Sequence, residues 1–158
     1  MIFLVLSKKY KMKNKYINIL HRNTSIILAT FFMYKGYSKL VSKKLKEVNL
    51  DQIISTIIEK ASYEAPTSYN IVMNTFKQSG FLDMISIFQI LAGILIIIPL
   101  TRLLGLLLLL PIIFNIFFMH VFFDNRIDEN IVTGILLCVN IILCLYYKKD
   151  LINIFLKS

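Results

Sequence analysis

The sequence predicts an all-α integral membrane protein, a four-helix transmembrane bundle with a short amphipathic helix between the first and second spans. Three observations predict it. Hydrophobic residues make up 57% of 158 and the mean hydropathy is +0.70, against roughly 45–50% apolar residues in ordinary soluble domains. A soluble chain of this length cannot bury so much apolar surface, so the bilayer is its expected solvent. Long stretches carry almost no charge while basic residues gather at their ends, the distribution that membrane topology produces. The length allows one domain with about four spans of about 20 residues and excludes transporters built from two six-span halves.

Eighteen Lys and Arg against nine Asp and Glu give a formal charge of +9. In a soluble protein that balance would suggest nucleic acid; here the charges sit at span ends, and nucleic acid is excluded as a partner. Residues 1–22 are read as a basic tail carrying Lys8, Lys9, Lys11, Lys13, Lys15 and Arg22. Its apolar start precedes its lysines, the reverse of a signal peptide, and Met12 is an alternative start.

The spans follow in order within a membrane domain at 23–148. The first, about 23–40, is interrupted near one end by Lys35 and Lys39, whose long amines can snorkel to the interface. Leu50, Ile53, Ile54, Ile57, Ile58 and Ala61 then repeat at helical spacing opposite polar residues, an amphipathic helix at about 50–62. Asn49 and Gln52 resemble a capping box, and Pro66 stops the run. A second weak turn at Ile71–Lys77 leads into Ser79-Gly80. From Phe81 to Phe123, 43 residues carry only Asp83 and Arg102 as charges, and that length crosses a bilayer core of about 30 Å twice. Pro99 ends the first of these helices, at about 81–99; Thr101 is placed to cap the second, at about 102–123, and Arg102 to sit among headgroups. The fourth span, about 130–147, has Asp128 and Glu129 before it and Lys148 and Lys149 after it, as the helix dipole favours. Residues 149–158 form a C-terminal tail.

Basic residues number 10 on the side holding both termini and 8 on the other, and eight of nine acids lie on that second side. Both termini are therefore expected in the cytoplasm.

Candidate chemistry is sparse. His120 and Asp124 stand one helical turn apart at a membrane edge, where the pair could hold a protonatable imidazole for a quinone or a proton path; the alternative is an interfacial histidine among headgroups. Gln89, Asn115 and Asn140 are candidate ligand-binding amides expected to turn inward, Asn115 toward the carbonyl that Pro111 leaves unpaired; gluing helices together is the competing role. Lys35 and Lys39 share a face and repel unless phosphate or an acid such as Asp83 neutralises them. Cys138 and Cys144, six residues and about 9 Å apart on one helix, exceed the roughly 7 Å limit for a disulfide. No metal-spaced set, HExxH, Gly-rich phosphate loop or nucleophile triad is present, so neither a metal site nor a covalently bound cofactor is expected.

Several features coincide in order: Gly36-Tyr-Ser-Lys39-Leu, Ser79-Gly80-Phe81, Gln89-Ile-Leu-Ala-Gly93, Pro99-Leu-Thr-Arg-Leu-Leu-Gly105, Pro111-Ile-Ile-Phe-Asn115 and His120-Val-Phe-Phe-Asp124. Over about residues 24–148 the chain thereby resembles the DoxX and DoxX-like proteins, small four-helix membrane proteins of bacteria. The resemblance implies an inner-membrane location and an accessory role beside a quinone-linked oxidoreductase, with quinone as the admissible cofactor. An oxidoreductase partner and a second copy of the chain both remain open. Gly36, Lys39, Gln89, Gly93, Pro111, Asn115 and His120 carry over only as matching positions, and Pro99 and Gly105 as structural ones. Related proteins that relay electrons through cysteine pairs differ, because this chain lacks CxxC. A non-catalytic scaffold that organises partners or lipid is the alternative function.

Overall fold

The computed structural model describes residues 15–42, 44–47, 49, 51 and 67–156. Among these, regular structure is entirely helical: α1 (Lys15–Val41), α2 (Thr67–Gln78), α3 (Phe81–Ile97), α4 (Arg102–Met119), a π-helical turn (His120–Asp124), α5 (Ile127–Leu145) and α6 (Lys148–Leu156). The amphipathic helix expected at about 50–62 lies outside the described residues, as does Gln52 of its capping box. Asn49 Oδ1 there accepts the Asp51 backbone N–H at 2.9 Å, an Asx turn.

The long helices pack in sequence, α1 on α3, α3 on α4 and α4 on α5, with α1 also touching α5. Their interior joins Leu28, Ala29 and Phe32 of α1 to Ala92 and Ile96 of α3, Leu106, Leu109 and Ile113 of α4, and Leu143 and Cys144 of α5. The outer faces of α3, α4 and α5 are equally apolar, with Ile87, Ile94, Leu104, Phe114, Ile135 and Ile142 exposed, whereas Ser25, Ser86, Gln89 and Asn140 are buried. A soluble helix has the opposite distribution; apolar all round is the pattern of a helix in lipid. The segments Arg102–Asp124 and Ile127–Leu145 are long and apolar enough to cross a membrane, and α2 with α3, bent by 81°, meet that standard together, as a broken span or a re-entrant loop. The buried hydroxyls bond back one turn, Ser25 to His21 O and Ser86 to Leu82 O, both at 2.7 Å.

The weak turn expected at Ile71–Lys77 is a 12-residue helix, α2. Its asparagines stitch it to the chain leaving α1: Asn74 exchanges bonds with the Lys46 backbone at 2.6 and 2.8 Å, and Asn70 Nδ2 donates to Glu47 O at 3.0 Å. Gly80 then turns the chain at φ 77°, a left-handed conformation that glycine adopts without strain.

The Pro99 turn differs from the expectation in two residues. Thr101 makes no capping bond; its Oγ1 donates backward to Leu95 O at 2.9 Å. Arg102 is buried rather than set among headgroups, and its Nε donates to Ile96 O at 3.0 Å. Both serve the carbonyls that the end of α3 leaves unpaired. Gly105 makes the hairpin tight: a Cβ there would lie 2.7 Å from Ala92 O and from the Ile96 nitrogen.

Candidate functional site

One end of the helices holds a cavity of about 280 Å³. The C-terminal end of α1, the N-terminal ends of α3 and α5 and the C-terminal end of α4 enclose it, with α2 alongside. Phe31, Phe32, Ile113, Ile116, Val132 and Leu136 give it apolar walls; Lys39, Gln89, His120 and Arg126 bring polar groups to it.

The α-helical register breaks where it reaches His120. The Asn125 N–H bonds to His120 O at 2.7 Å, closing a wider π turn, and Asn125 leaves it at φ 50°. The turn keeps His120 and Asp124 paired, Nδ1 to Oδ2 at 2.9 Å. A carboxylate only accepts, so Nδ1 carries the proton and Nε2 is the open position of the ring. Asp124 is itself buried and held by a fork: Arg126 Nε donates to Oδ1 at 2.8 Å and Nη2 to Oδ2 at 2.7 Å. That bidentate pair raises the Arg126 guanidinium further above its ordinary value. Tyr69 of α2 lies over the imidazole, ring centroids 5.2 Å apart.

Across the same cavity, Lys39 Nζ donates to Gln89 Oε1 at 3.2 Å. Gln89 is fully buried, and its Nε2 has no partner. Asp83 does not neutralise Lys35 or Lys39; it pairs with Lys77 at 2.9 Å, and Lys77 also donates to Lys39 O at 3.0 Å. Lys35 extends over the Phe31 ring, 5.6 Å from its centroid.

Three of the six site candidates from the sequence, Lys39, Gln89 and His120, thus line one cavity, with Asp124 behind His120. The other two amides are elsewhere. Asn140 is buried away from the cavity, Nδ2 donating to Leu106 O at 3.2 Å while Oδ1 is unpaired. Asn115 is exposed rather than turned inward. Its Nδ2 reaches Pro111 O at 2.9 Å, not the Leu107 carbonyl that the proline orphans, because an i,i+4 side chain meets the carbonyl one turn before it. Gly36 and Gly93 serve packing of α1 on α3: a Cβ on Gly36 would meet Ser86 O at 2.7 Å, and one on Gly93 would meet Met33 and Ala29. Cys138 is exposed, Cys144 buried, and both are free. Among the described residues no group of three or more His, Cys, Asp or Glu could hold a metal ion.

Residues that sequence reasoning missed are Arg126, Tyr69, Lys77 and His21. The Asp-Asn-Arg spacing of 124–126 was the available signal for the fork; nothing local points to Tyr69. His21 anchors the opposite end of the helices, stacked on Tyr146 at 3.9 Å with Nε2 donating to Leu143 O at 3.3 Å. Tyr147 meets the His21 ring edge-on, centroids 5.2 Å apart, and burial pushes its phenol up.

Comparisons of the chain with family models, curated proteins and solved structures find no match.

Proposed function

We propose that this chain is an integral membrane binding protein in which α1, α3, α4 and α5 form a four-helix transmembrane bundle. The cavity at one end takes an amphipathic small molecule: an apolar body against the phenylalanine and isoleucine walls, and a hydrogen-bond acceptor toward Lys39 and Gln89, with the His120 ring also lining the cavity. The observation that carries this reading is an apolar-walled cavity lined by Lys39, with Gln89 buried in its wall and Gln89 Nε2 unpaired among the described residues. A buried amide donor without a partner costs about 1–3 kcal/mol, which a ligand acceptor would offset. A quinone carbonyl is a neutral acceptor of the required kind. The DoxX-like resemblance adds an inner-membrane setting and an accessory role beside a redox enzyme that uses the ligand.

Melting of the purified protein in neutral detergent tests the reading. Short-chain quinones and medium-chain amphiphiles are titrated separately, and at least one raises the melting temperature saturably. Phe substituted for Gln89 fills the cavity and abolishes the rise. If none has any effect, the polar residues serve packing alone and the chain is a scaffold. Reporter fusions after Lys46, Arg102, Arg126 and Lys157 test the topology and should read outside, inside, outside, inside.

A further inference from the structure

Granted the binding reading, the charges around the cavity say more about the ligand. Lys39 is a partly buried ammonium whose only side-chain partner among the described residues is the neutral Gln89 amide. Among the described residues, Asp83 pairs with Lys77, Asp124 pairs with Arg126 and His120, and Glu129 faces Arg126 at 3.9 Å. Lys35 stands one turn before Lys39 on the same helix face and Lys46 also lines the cavity, so the charge on the Lys39 side of the cavity is positive, while Arg126 and Glu129 face each other on the other side. A cation withdrawn from water loses several kcal/mol of hydration, and an amide oxygen returns only part of it.

The Gln89 orientation points the same way. Its oxygen must face Lys39, because turning the amide over would set NH₂ against NH₃⁺; Nε2 is therefore fixed as a donor. An ammonium and an amide donor side by side, with apolar walls beyond, form a cradle for a charged oxygen acceptor on an apolar chain.

We infer that the ligand is an acid-headed amphiphile, a carboxylate or phosphate ester whose anionic oxygens meet Lys39 Nζ and Gln89 Nε2 and whose single apolar chain lies among Phe32, Ile113 and Leu136. The volume, about 280 Å³, is at the small end of ligand cavities and suits one chain. A neutral quinone would leave the lysine without a counter-ion.

The test compares ligands that share a tail and differ in head. Full-length protein in neutral phosphatidylcholine nanodiscs is titrated with laurate, methyl laurate, inorganic phosphate and a short-chain quinone, reading melting temperature and tyrosine fluorescence. A parallel set of discs contains phosphatidic acid. Laurate should bind at least about tenfold more tightly than its methyl ester, the worth of one charge-assisted hydrogen bond. Saturable stabilisation by phosphatidic acid, with one of its two chains in the cavity and the other left in the bilayer, would also support the acid head and assign it to a bilayer lipid. Lys39→Met should remove the preference for laurate over its methyl ester; because it also takes the donor from Gln89 Oε1, it is read from that preference rather than from its melting temperature. Gln89→Glu supplies Lys39 with an internal carboxylate; it should melt higher and lose laurate binding even if the Lys39 variant does not fold. Equal binding of methyl laurate or quinone would overturn the acid head while leaving the binding reading intact. Inorganic phosphate binding as tightly as laurate would overturn the amphiphile. Silence in every arm would defeat the binding reading itself.

Discussion

Each end of the helix assembly has a histidine and an arginine, and the two ends use them differently. At the end holding the Pro99 turn, His21 donates to Leu143 O and Arg102 to Ile96 O, so both side chains finish helix termini. Backbone carbonyls absorb their polarity, and the packing closes over them. At the other end Arg126 and His120 converge on the Asp124 carboxylate, which is spent on orienting them, and Lys39 and Gln89 are left facing a cavity. Polar groups satisfied by the fold hold it together; at the open end a charged and a polar group stand beside a cavity, which an unpaired amide such as Asn140 in the packed interior does not.

If that contrast is right, variants at the closed end should lose stability and variants at the open end should lose binding. The largest stability effect is expected at Gly105. A methyl there would overlap backbone atoms of α3 on two sides, and backbone cannot rotate away. Gly105→Ala should cost about 3 kcal/mol, the upper part of the overpacking range, and appear as a large fall in melting temperature or failure to insert. A Gly105→Ala protein that melts with the wild type would show that α3 and α4 are not packed this closely.

Next come the two arginines, which break the comparison most directly. Arg126→Met removes the fork from buried Asp124 and should cost about 3 kcal/mol, the lower part of the range for a broken buried pair because the guanidinium is half exposed. Ligand affinity should fall with it, since the imidazole loses its fixed orientation. Arg102→Met leaves Ile96 O without its donor and should cost about 1–3 kcal/mol with ligand affinity unchanged. Melting curves and ligand titrations of the two variants, run side by side, separate the ends; a loss of binding in the Arg102 variant would mean that they are coupled.

The sequence makes some of this architecture visible and hides the rest for definite reasons. Uninterrupted apolar residues from 81 to 123 with Pro99 between them reveal a helical hairpin, because composition and one turn residue suffice. The His120–Asp124 pair is visible because i,i+4 neighbours share a face, and it persists through the π turn that no local signal announces. Arg102 misleads because a charge beside an apolar run suggests headgroups, whereas the carbonyls that the end of α3 leaves unpaired are within its reach. The cavity is hidden altogether: it needs the ends of four helices brought together, and helical periodicity fixes faces without fixing which neighbour each face meets.

The smallest effect is expected from the cysteines, and it bears on whether thiol chemistry competes with the cavity. Cys138 is exposed on α5, so Cys138→Ala should alter stability by no more than about 0.5 kcal/mol. Cys144 is buried against the interior of the assembly, and Cys144→Ala should cost about 1 kcal/mol, the worth of a small apolar group left as a void. Neither thiol lines the cavity, and the two stand six residues apart on one helix, too far to join within the chain. The double variant should therefore bind ligand as the wild type does, measured by the same titration. A double variant that kept its melting temperature and lost binding would move the functional centre from the cationic cavity to α5 and make thiols, between chains, the reacting groups.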